Sequence, residues 1–226
     1  VPGATDIPIL TNESLFDLDT LPRRLLIAGG GPIGMEMAQA FSRLGSNVTV
    51  VTTATRILPR DDAELVALLS AHLQSEGIRI LTETAIRQFD RCEAITTQGE
   101  RIAVDAVLAA IGRTPNISSL NLAAAGVECS EKGVIVDSRC RSSVRHIFAA
   151  GDVAGRHLFT HMAEHMAKIA VTNAILRIPF SIDEQHVPWT TFTDPELAHV
   201  GRSEDDLRRS GVSYSVFRFP YSQLDR

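Results

Sequence analysis

The chain has 226 residues, and 44% of them are hydrophobic, so it can form one large or two small domains with a real core. Its net charge of -5, with lysine and arginine scattered along the chain, argues against a nucleic-acid partner. Apolar runs such as residues 106–111 fall far short of the roughly 20 residues that cross a bilayer. No basic-then-apolar leader opens the chain. We therefore expect a cytoplasmic protein with no membrane partner.

The cysteines and the chain ends give two further expectations. Cys92, Cys129 and Cys140 are an odd set with wide spacing, which matches neither a disulfide framework nor a zinc site. We expect ordinary reduced thiols. The chain begins at Val1 without methionine and stops at Arg226 just after a strand-like stretch, which predicts a piece of a longer protein.

The first elements alternate between strand and helix. Residues 1–22 are rich in proline and predict a connector with one short strand near Ile7 to Leu10. The apolar run Leu25 to Ala28 predicts a buried strand. Pro32 to Leu44 follows with apolar residues at helical spacing, and Gly45 stands where a helix C-cap is expected.

A second strand and helix complete the unit. Val48 to Val51 predicts the strand, and Asp61-Asp62 predicts the start of a helix that continues to Gly77. Paired carboxylates also suggest acid/base chemistry, but capping is the simpler interpretation here. The buried stripe of this helix is predicted to contain Leu65, Leu68, Leu69, His72 and Leu73.

From residue 78 the pattern changes to short strands. A strand is predicted at residues 78–81, then a hairpin or meander through 94–97 and 101–104, followed by a buried strand at 105–111. Further strands are expected at 133–136 and 147–150, and a helix at 159–176. After residue 187 the composition changes again, with strands around a helix from Ser203 to Ser210 that Ser203 and Asp206 cap.

The most specific local motif is a glycine-rich turn between the first strand and the first helix. It reads Gly29, Gly30, Gly31, Pro32, Ile33, Gly34, which is G-x-G-x-x-G. Gly29 allows a tight turn, Gly31 lets a pyrophosphate approach the backbone, and Gly34 lets helix and strand pack closely. The helix N-terminus adds free N–H groups and a positive dipole end. This context favours dinucleotide binding over a structural glycine turn.

The end of the second strand bears on the choice of dinucleotide. An acidic residue there would bind the ribose of NAD, but the sequence has Thr52 and Thr53. Arg56 and Arg60 are the nearest cations, and either could reach a 2′-phosphate. This tilts the prediction slightly toward NADP. The alternative, that both arginines are solvated loop charges, is nearly as good.

A second signal appears at Ile147 to Asp152, where a predicted strand ends in Gly151 and Asp152. Taken with the first motif, it makes the chain resemble the FAD-dependent pyridine nucleotide-disulfide oxidoreductase family across nearly its whole length. The resemblance rests on these segments in order: 29–36 (GGGPIGME), 56–59 (RILP), 110–116 (AIGRTPN), 147–152 (IFAAGD), 193–196 (TDPE) and 200–201 (VG).

The resemblance implies roles for particular residues. Asp152 would hydrogen-bond the FAD ribitol, and Ala110 to Gly112, which includes Ile111, would lie along the nicotinamide cofactor. Glu36 would pair with a lysine beside the flavin, which gives it a catalytic role; in the family that lysine belongs to an N-terminal FAD half outside this chain. Residues 158–163 would lie by the flavin ring at a helix N-terminus; the candidates there are Phe159, Thr160, His161 and Ala163.

The sequence also departs from the family pattern. The redox-active Cys-x-x-x-x-Cys and the first FAD-binding glycine motif would precede Val1, and the C-terminal His/Glu pair would follow Arg226. Pro32 stands where the family often has a flavin-shielding tyrosine. Among the branches, the helix sequence after Gly34 and the terminal residues 224–226 look most like mercuric-reductase-like members, with dihydrolipoamide dehydrogenase-like members as the other possibility.

The histidines do not predict a metal site. His157, His161 and His165 are spaced at four, but no cysteine or suitably placed acid completes a ligand set. Flavin-pocket lining or helix surface is the better interpretation.

We therefore expect an α/β chain with a Rossmann-like FAD/NAD(P)-binding fold, a three-stranded β-meander and the start of an α+β dimerisation domain. The predicted units are a connector at 1–22, an NAD(P)-binding domain at 23–116, the second FAD-binding segment at 117–185 and a truncated dimerisation domain at 186–226. The intact protein is expected to be a homodimer that passes hydride from NAD(P)H to FAD and on to a disulfide or metal ion.

The piece alone is expected to bind nicotinamide dinucleotide, to retain FAD poorly and to be inactive, because its partners, the N-terminal FAD half and the rest of the dimerisation half, are missing. A different hypothesis is a non-catalytic NAD(P)-binding module that senses redox state. A third is that the segment has no independent role.

Overall fold

The computed structural model describes residues 1–220 and residue 223, and its elements alternate as an α/β protein should. The helices are α1 (Pro32–Arg43), α2 (Ala63–Ser75), α3 (Thr160–Val171) and α4 (Glu204–Arg209). The strands are β1 (Ile9–Leu10), β2 (Arg24–Ala28), β3 (Asn47–Val51), β4 (Arg79–Leu81), β5 (Ile86–Asp90), β6 (Glu93–Thr96), β7 (Arg101–Ala103), β8 (Ala106–Ala109), β9 (Cys129–Ser130), β10 (Gly133–Val134), β11 (Pro188–Thr191) and β12 (Leu197–Val200). Across that described part, no helix is both long enough and apolar enough to traverse a bilayer.

A five-stranded parallel sheet organises the N-terminal half of the chain, since its strands all lie between Ile9 and Ala109. Its order is β1-β8-β2-β3-β4, and every pairing in it is parallel. The chain runs from β2 to β3 and β4 on one side and later returns as β8 on the other side of β2. This reversal beside β2 is a topological switch point, where the carboxyl ends of two adjacent strands leave a crevice for a ligand.

Each face of the sheet is covered by a different layer, and the alternation of side chains along β2 shows it. Leu25 and Ile27 point into the core shared with α1 and α2, whereas Leu26 points into the core shared with the antiparallel meander β5-β6-β7. All three side chains are at most 1% exposed. A strand buried on both faces explains why the β2 sequence is a continuous apolar run.

The second core lies around α3. Met162, Met166, Ile169 and Ala170 are its buried face, spaced at three and four as an amphipathic helix requires. Cys140 packs against this face, and its thiol donates to the backbone oxygen of Met166 at 3.5 Å. Burial raises the pKa of the Cys140 thiol to about 11, so the thiol is held protonated and unreactive.

The last described elements form a hairpin and a short helix. Strands β11 and β12 pair antiparallel, with Trp189 opposite His199. The turn between them contains a cis peptide bond at Asp194-Pro195. Helix α4 has the capping box that the sequence predicts, because Ser203 accepts from the Asp206 N–H and Asp206 accepts from the Ser203 N–H.

The fold class is the predicted one, but two local predictions are wrong. On α2 the buried residues are Val66, Leu69 and Leu73, while Leu65 and Leu68 are 48% and 65% exposed. Exposed and buried leucines look the same in a sequence, so the predicted stripe included Leu65 and Leu68 and omitted Val66.

The second error concerns the segment that precedes α3. Residues 147–150 form only an isolated bridge, between Phe148 and Arg141, because no described strand pairs with them along their length. The predicted 159–176 helix is present, as α3 followed without a break by a π-helical turn, Thr172–Leu176.

Candidate functional site

The glycine-rich loop sits at the switch point of the parallel sheet. It leaves the carboxyl end of β2 and enters α1, while Ala110 to Gly112 leave the carboxyl end of β8 alongside it. A backbone hydrogen bond ties these two exits together, since Ala110 N–H donates to Ala28 O at 2.8 Å. A second bond, from Gly29 N–H to Val51 O at 2.8 Å, ties the exit of β2 to β3. The predicted nicotinamide residues therefore meet at one edge of the sheet.

At three positions of this loop the absence of a side chain has a different structural consequence. Gly29 has φ 124°, and a Cβ there would collide with the Ala110 carbonyl. A Cβ at Gly34 would collide with the Gly29 carbonyl, so this glycine permits the close crossing of helix and strand. A Cβ at Gly31 would meet nothing within 4 Å. The fold requires Gly29 and Gly34, while Gly31 keeps space open in front of the helix.

The open space at Gly31 faces the start of α1. Gly31 is the N-cap, no side chain caps the helix, and Pro32 occupies the first turn. The remaining backbone N–H groups and the positive end of the helix dipole are thus left for a ligand, an arrangement that suits a pyrophosphate. Ile33 is 37% exposed beside this space, whereas Gly34 is buried.

The loop after β3 is ordered by its own threonine. Thr52 is 9% exposed, its N–H donates to Leu81 O, and its hydroxyl accepts from the Ala54 N–H at 3.3 Å. Thr53 is exposed. No carboxylate stands at the end of β3, as the sequence indicated.

The two candidate arginines differ in their surroundings. Arg56 donates to the carbonyl oxygens of Pro59 and Asp61, both at 3.2 Å, and lies 3.9 Å from the carboxylate of Asp205. Arg60 is exposed on the same loop. The structure therefore holds Arg56 as part of the loop and leaves Arg60 reaching into solvent.

A second cluster gathers the residues predicted to lie beside the flavin. Gly151 and Asp152 begin a 3-10 turn, and a Cβ on Gly151 would come within 3.0 Å of the Ala163 Cβ. Phe159 is the N-cap of α3, which brings Thr160, His161 and Ala163 into its first turn. Again no side chain caps the helix start.

Arg113 connects the two clusters. It follows Gly112 at the exit of β8, and its Nη1 donates to Asp152 Oδ2 at 3.2 Å and to Leu158 O at 3.0 Å. Sequence reasoning gave Arg113 no role, although it lies in the conspicuous segment 110–116. Its position directly after the Ile111-Gly112 exit was the signal available.

Glu36 faces the C-terminal hairpin. Its Oε1 accepts a hydrogen bond from the Phe192 N–H at 2.9 Å. One and two turns further along α1, Gln39 pairs with the backbone of Asp194 and Arg43 with its carboxylate. These contacts fix the hairpin against the helix that follows the glycine loop.

The histidines behave as surface or packing residues. His161 Nε2 lies 2.9 Å from Pro188 O, and His165 is exposed. Burial lowers the pKa of His157, so its ring is held neutral. Throughout residues 1–220 and 223, no group of three or more His, Cys, Asp and Glu side chains is arranged to hold a metal ion.

A contact that sequence reasoning missed joins the loop after β3 to the hairpin. Trp189 Nε1 donates to Asp61 Oδ1 at 2.8 Å, across 128 residues of sequence. Asp62, not Asp61, is the N-cap of α2. The two adjacent aspartates look equivalent in sequence, and only the fold separates their tasks.

The fold and this geometry define an α/β domain with a glycine-rich loop at its switch point, joined to a second cluster around Asp152. The family model for pyridine nucleotide-disulphide oxidoreductases matches residues 1–167, and the model for their dimerisation domain matches residues 187–226. The chain belongs to the pyridine nucleotide-disulphide oxidoreductase family.

Curated relatives agree with this family. The chain is 36% identical over 219 residues to a dihydrolipoyl dehydrogenase of Bacillus subtilis, covering 95% of this chain and 48% of the relative. It is 32% identical over 232 residues to the probable pyridine nucleotide-disulfide oxidoreductase RclA of Escherichia coli, covering 100% and 53%.

Solved structures give the same result. The HOCl-induced flavoprotein disulfide reductase RclA of Escherichia coli superposes with a TM-score of 0.89 at 30% identity, covering 99% of this chain and 53% of that one. LpdA of Mycobacterium tuberculosis gives 0.83 at 30% identity, covering 90% and 46%. The chain thus spans about half the length of the relatives it matches. The terminal residues 224–226, which suggested a mercuric-reductase-like branch, lie outside the described part.

Proposed function

We propose that this chain is the central part of a flavoprotein oxidoreductase that passes hydride from NAD(P)H to FAD and then electrons to a disulfide or a metal ion. The observation that carries the proposal is the glycine loop at the switch point of the sheet. The space in front of Gly31 is open and lies at an uncapped helix N-terminus. Arg113, at the neighbouring strand exit, donates a hydrogen bond to Asp152 in the second cluster.

The dinucleotide would be held by the first cluster. The N–H groups at the start of α1 would receive the pyrophosphate over Gly31, with Gly30, Pro32 and Ile33 lining its path. Thr52 and Thr53 would lie beside the adenosine ribose. Ile111 and Gly112, both exposed at the exit of β8, would lie along the nicotinamide end.

The flavin would be held by the second cluster. The half-exposed carboxylate of Asp152 is suited to accept from ribitol hydroxyls, while the hydrogen bond from Arg113 orients it. The uncapped first turn of α3 would supply N–H groups toward the ring. FAD supplies the hydride-accepting chemistry when bound. Because only part of its site is in this chain, we expect the segment alone to retain FAD poorly.

The protein's own contribution is then position and charge. Gly29 and Gly34 bring strand and helix close enough to set the loop, and Arg113 fixes the distance between the two clusters. Glu36 would balance the charge of a lysine beside the flavin, while its second oxygen keeps the hairpin in place. Holding two cofactors in register in this way lowers the entropic cost of the transfer.

The final acceptor is proposed only as a class. The B. subtilis relative is a dihydrolipoyl dehydrogenase, and RclA is a disulfide reductase of which a Cu(II) complex has been solved. A disulfide and a metal ion therefore both stay as candidate acceptors. The non-catalytic redox-sensing module is not favoured, because both relatives are oxidoreductases.

The organisation of the intact protein follows the same proposal. The units would be the connector 1–22, the NAD(P)-binding domain 23–116, the FAD-binding segment 117–185 and the dimerisation region 186–226. We propose a homodimer, since residues 187–226 match a dimerisation-domain model, and a cytoplasmic location.

Calorimetric titration of the full-length protein with NADH and with NADPH, at matched moderate salt, tests the proposal. Tighter binding of NADPH that weakens when Arg60 is replaced by alanine would support a 2′-phosphate contact at this loop. Arg56→Ala is the matched comparison, because Arg56 already serves the loop carbonyls. Binding of neither dinucleotide would contradict the proposed function.

A further inference from the structure

The buried carboxylate of Asp61 is an unusual feature of the loop that follows β3. Asp61 is 4% exposed, and its one described side-chain partner is the indole N–H of Trp189. Burial raises the pKa of Asp61, and the Trp189 hydrogen bond opposes that rise. Burying a carboxylate costs free energy unless the group is hydrogen-bonded, so the Trp189 contact stabilises Asp61 in its buried position.

The segment that carries Asp61, residues 56–62, is itself tied to the dinucleotide loop. Leu58 has φ 43°, and its N–H donates to the Gly30 carbonyl at 2.7 Å. Asp61 N–H donates to Leu58 O at 3.0 Å, and the Asp61 carbonyl accepts from Arg56. Moving Asp61 would therefore disturb both the backbone at Gly30 and the Arg56 side chain.

On its other side, Trp189 belongs to a row of aromatic rings. It stacks on His199 with ring centroids 3.9 Å apart, and it lies parallel to Phe159 at 6.5 Å. Phe159 in turn stacks with His161 at 5.4 Å. These contacts hold the indole rigidly, so its N–H is directed at Asp61 with little freedom to turn away.

We propose that Trp189 is a positioning residue of the dinucleotide site, which acts through its hydrogen bond to Asp61 to keep segment 56–62 and the Gly30 carbonyl in the conformation that receives the nucleotide. The proposal rests on the proposed dinucleotide-binding function. It assigns the C-terminal hairpin a part in nucleotide affinity, although the hairpin is distant in sequence from the glycine loop.

The test compares variants of the full-length protein by their Kd for the preferred nicotinamide dinucleotide. Trp189→Phe keeps the ring stack and removes the donor, and we expect it to weaken binding by about tenfold. Asp61→Asn keeps an acceptor oxygen and should bind nearly as the wild type. Asp61→Leu should resemble Trp189→Phe, and the double variant Trp189→Phe/Asp61→Leu should be no weaker than either. Val200→Ala, an exposed change on β12, is the control.

A merely structural role would lower the unfolding temperature without a specific change in Kd, and its effect would also appear in flavin content. Unchanged Kd in Trp189→Phe, or additive losses in the double variant, would overturn the inference while the proposed function stands. If the wild type binds neither NADH nor NADPH, the proposed function fails and the inference fails with it.

Discussion

The carboxylate of Glu36 accepts a hydrogen bond from the backbone N–H of Phe192, 156 residues further along the chain. The sequence suggested a different partner for Glu36, a lysine beside the flavin outside this chain. A carboxylate has two oxygens and accepts several hydrogen bonds, so one oxygen can hold the hairpin while the other serves a cation. The two tasks depend on different properties of the side chain, acceptor geometry and charge.

Replacing Glu36 by glutamine separates these two tasks. Glu36→Gln keeps an oxygen for Phe192 and removes the charge, so we expect near wild-type stability and slower flavin reduction by the dinucleotide. Glu36→Ala removes both and should also destabilise the protein by about 1 kcal/mol. Thermal unfolding and rapid-mixing kinetics of the full-length protein measure the two effects. If Glu36→Gln were reduced at the wild-type rate, the charge of Glu36 would have no part in flavin reduction, and Glu36 would only hold the hairpin.

The glycines of the loop give a matched pair of substitutions. Gly31→Ala places its Cβ in open space, so the fold should be unaffected while the dinucleotide binds more weakly. Gly34→Ala drives its Cβ into the Gly29 carbonyl and should cost about 2 kcal/mol or more of stability. Chemical denaturation and calorimetric titration check both. Equal destabilisation by the two variants would show that the loop is not arranged as described.

Glu76 gives a prediction about pH. Its hydrogen bond from Arg43, with a smaller contribution from Gln39, lowers the pKa of Glu76 below its usual value of 4.5. A lowered carboxyl pKa adds stability that is fully present above the unfolded value and is lost as the pH falls through the folded one. Glu76→Gln should therefore destabilise the protein by about 1 kcal/mol at pH 7 and progressively less below pH 4.5.

Glu164→Gln is the control for this experiment, because the Glu164–Lys168 pair is 67% and 72% exposed at its two side chains. We expect Glu164→Gln to cause no measurable change in stability at pH 7 or below pH 4.5. A loss at Glu76→Gln that stayed constant with pH would mean that packing, not charge, is responsible.

Arg113 provides a test of the link between the clusters. Arg113→Met removes both the bond to Asp152 and the bond to the Leu158 carbonyl, so we expect a lower ratio of bound flavin to protein after gel filtration. Arg145→Met, an exposed arginine, is the control. If Arg113→Met retained its full complement of flavin, the hydrogen bond that orients Asp152 would not be needed for flavin binding.

Much of the parallel-sheet unit could be predicted from the sequence, because short-range interactions determine it. A continuous apolar run, three glycines and a proline at a helix start specify β2, the loop and α1 with few alternatives. The capping box at Ser203 was equally legible, since the residues that form it are three apart.

The remaining features depend on contacts between distant segments. Nothing near Asp61 in sequence indicates Trp189, and nothing near Glu36 indicates Phe192. The apolar stripe of α2 was misplaced because Leu65 and Leu68 are as apolar as the buried Leu69. Residues 147–150 read as a strand by composition, but a strand also needs a neighbour to pair with, which composition cannot reveal.

The central claim is that a nicotinamide dinucleotide bound at the glycine loop delivers hydride to a flavin held beside Asp152. Anaerobic titration of the flavin-loaded full-length protein with NADH and with NADPH, followed by flavin absorbance, tests it most directly. We expect loss of the oxidised-flavin absorbance with at least one dinucleotide, and a higher dinucleotide requirement in Gly31→Ala. Flavin that stays oxidised with both dinucleotides would contradict the account.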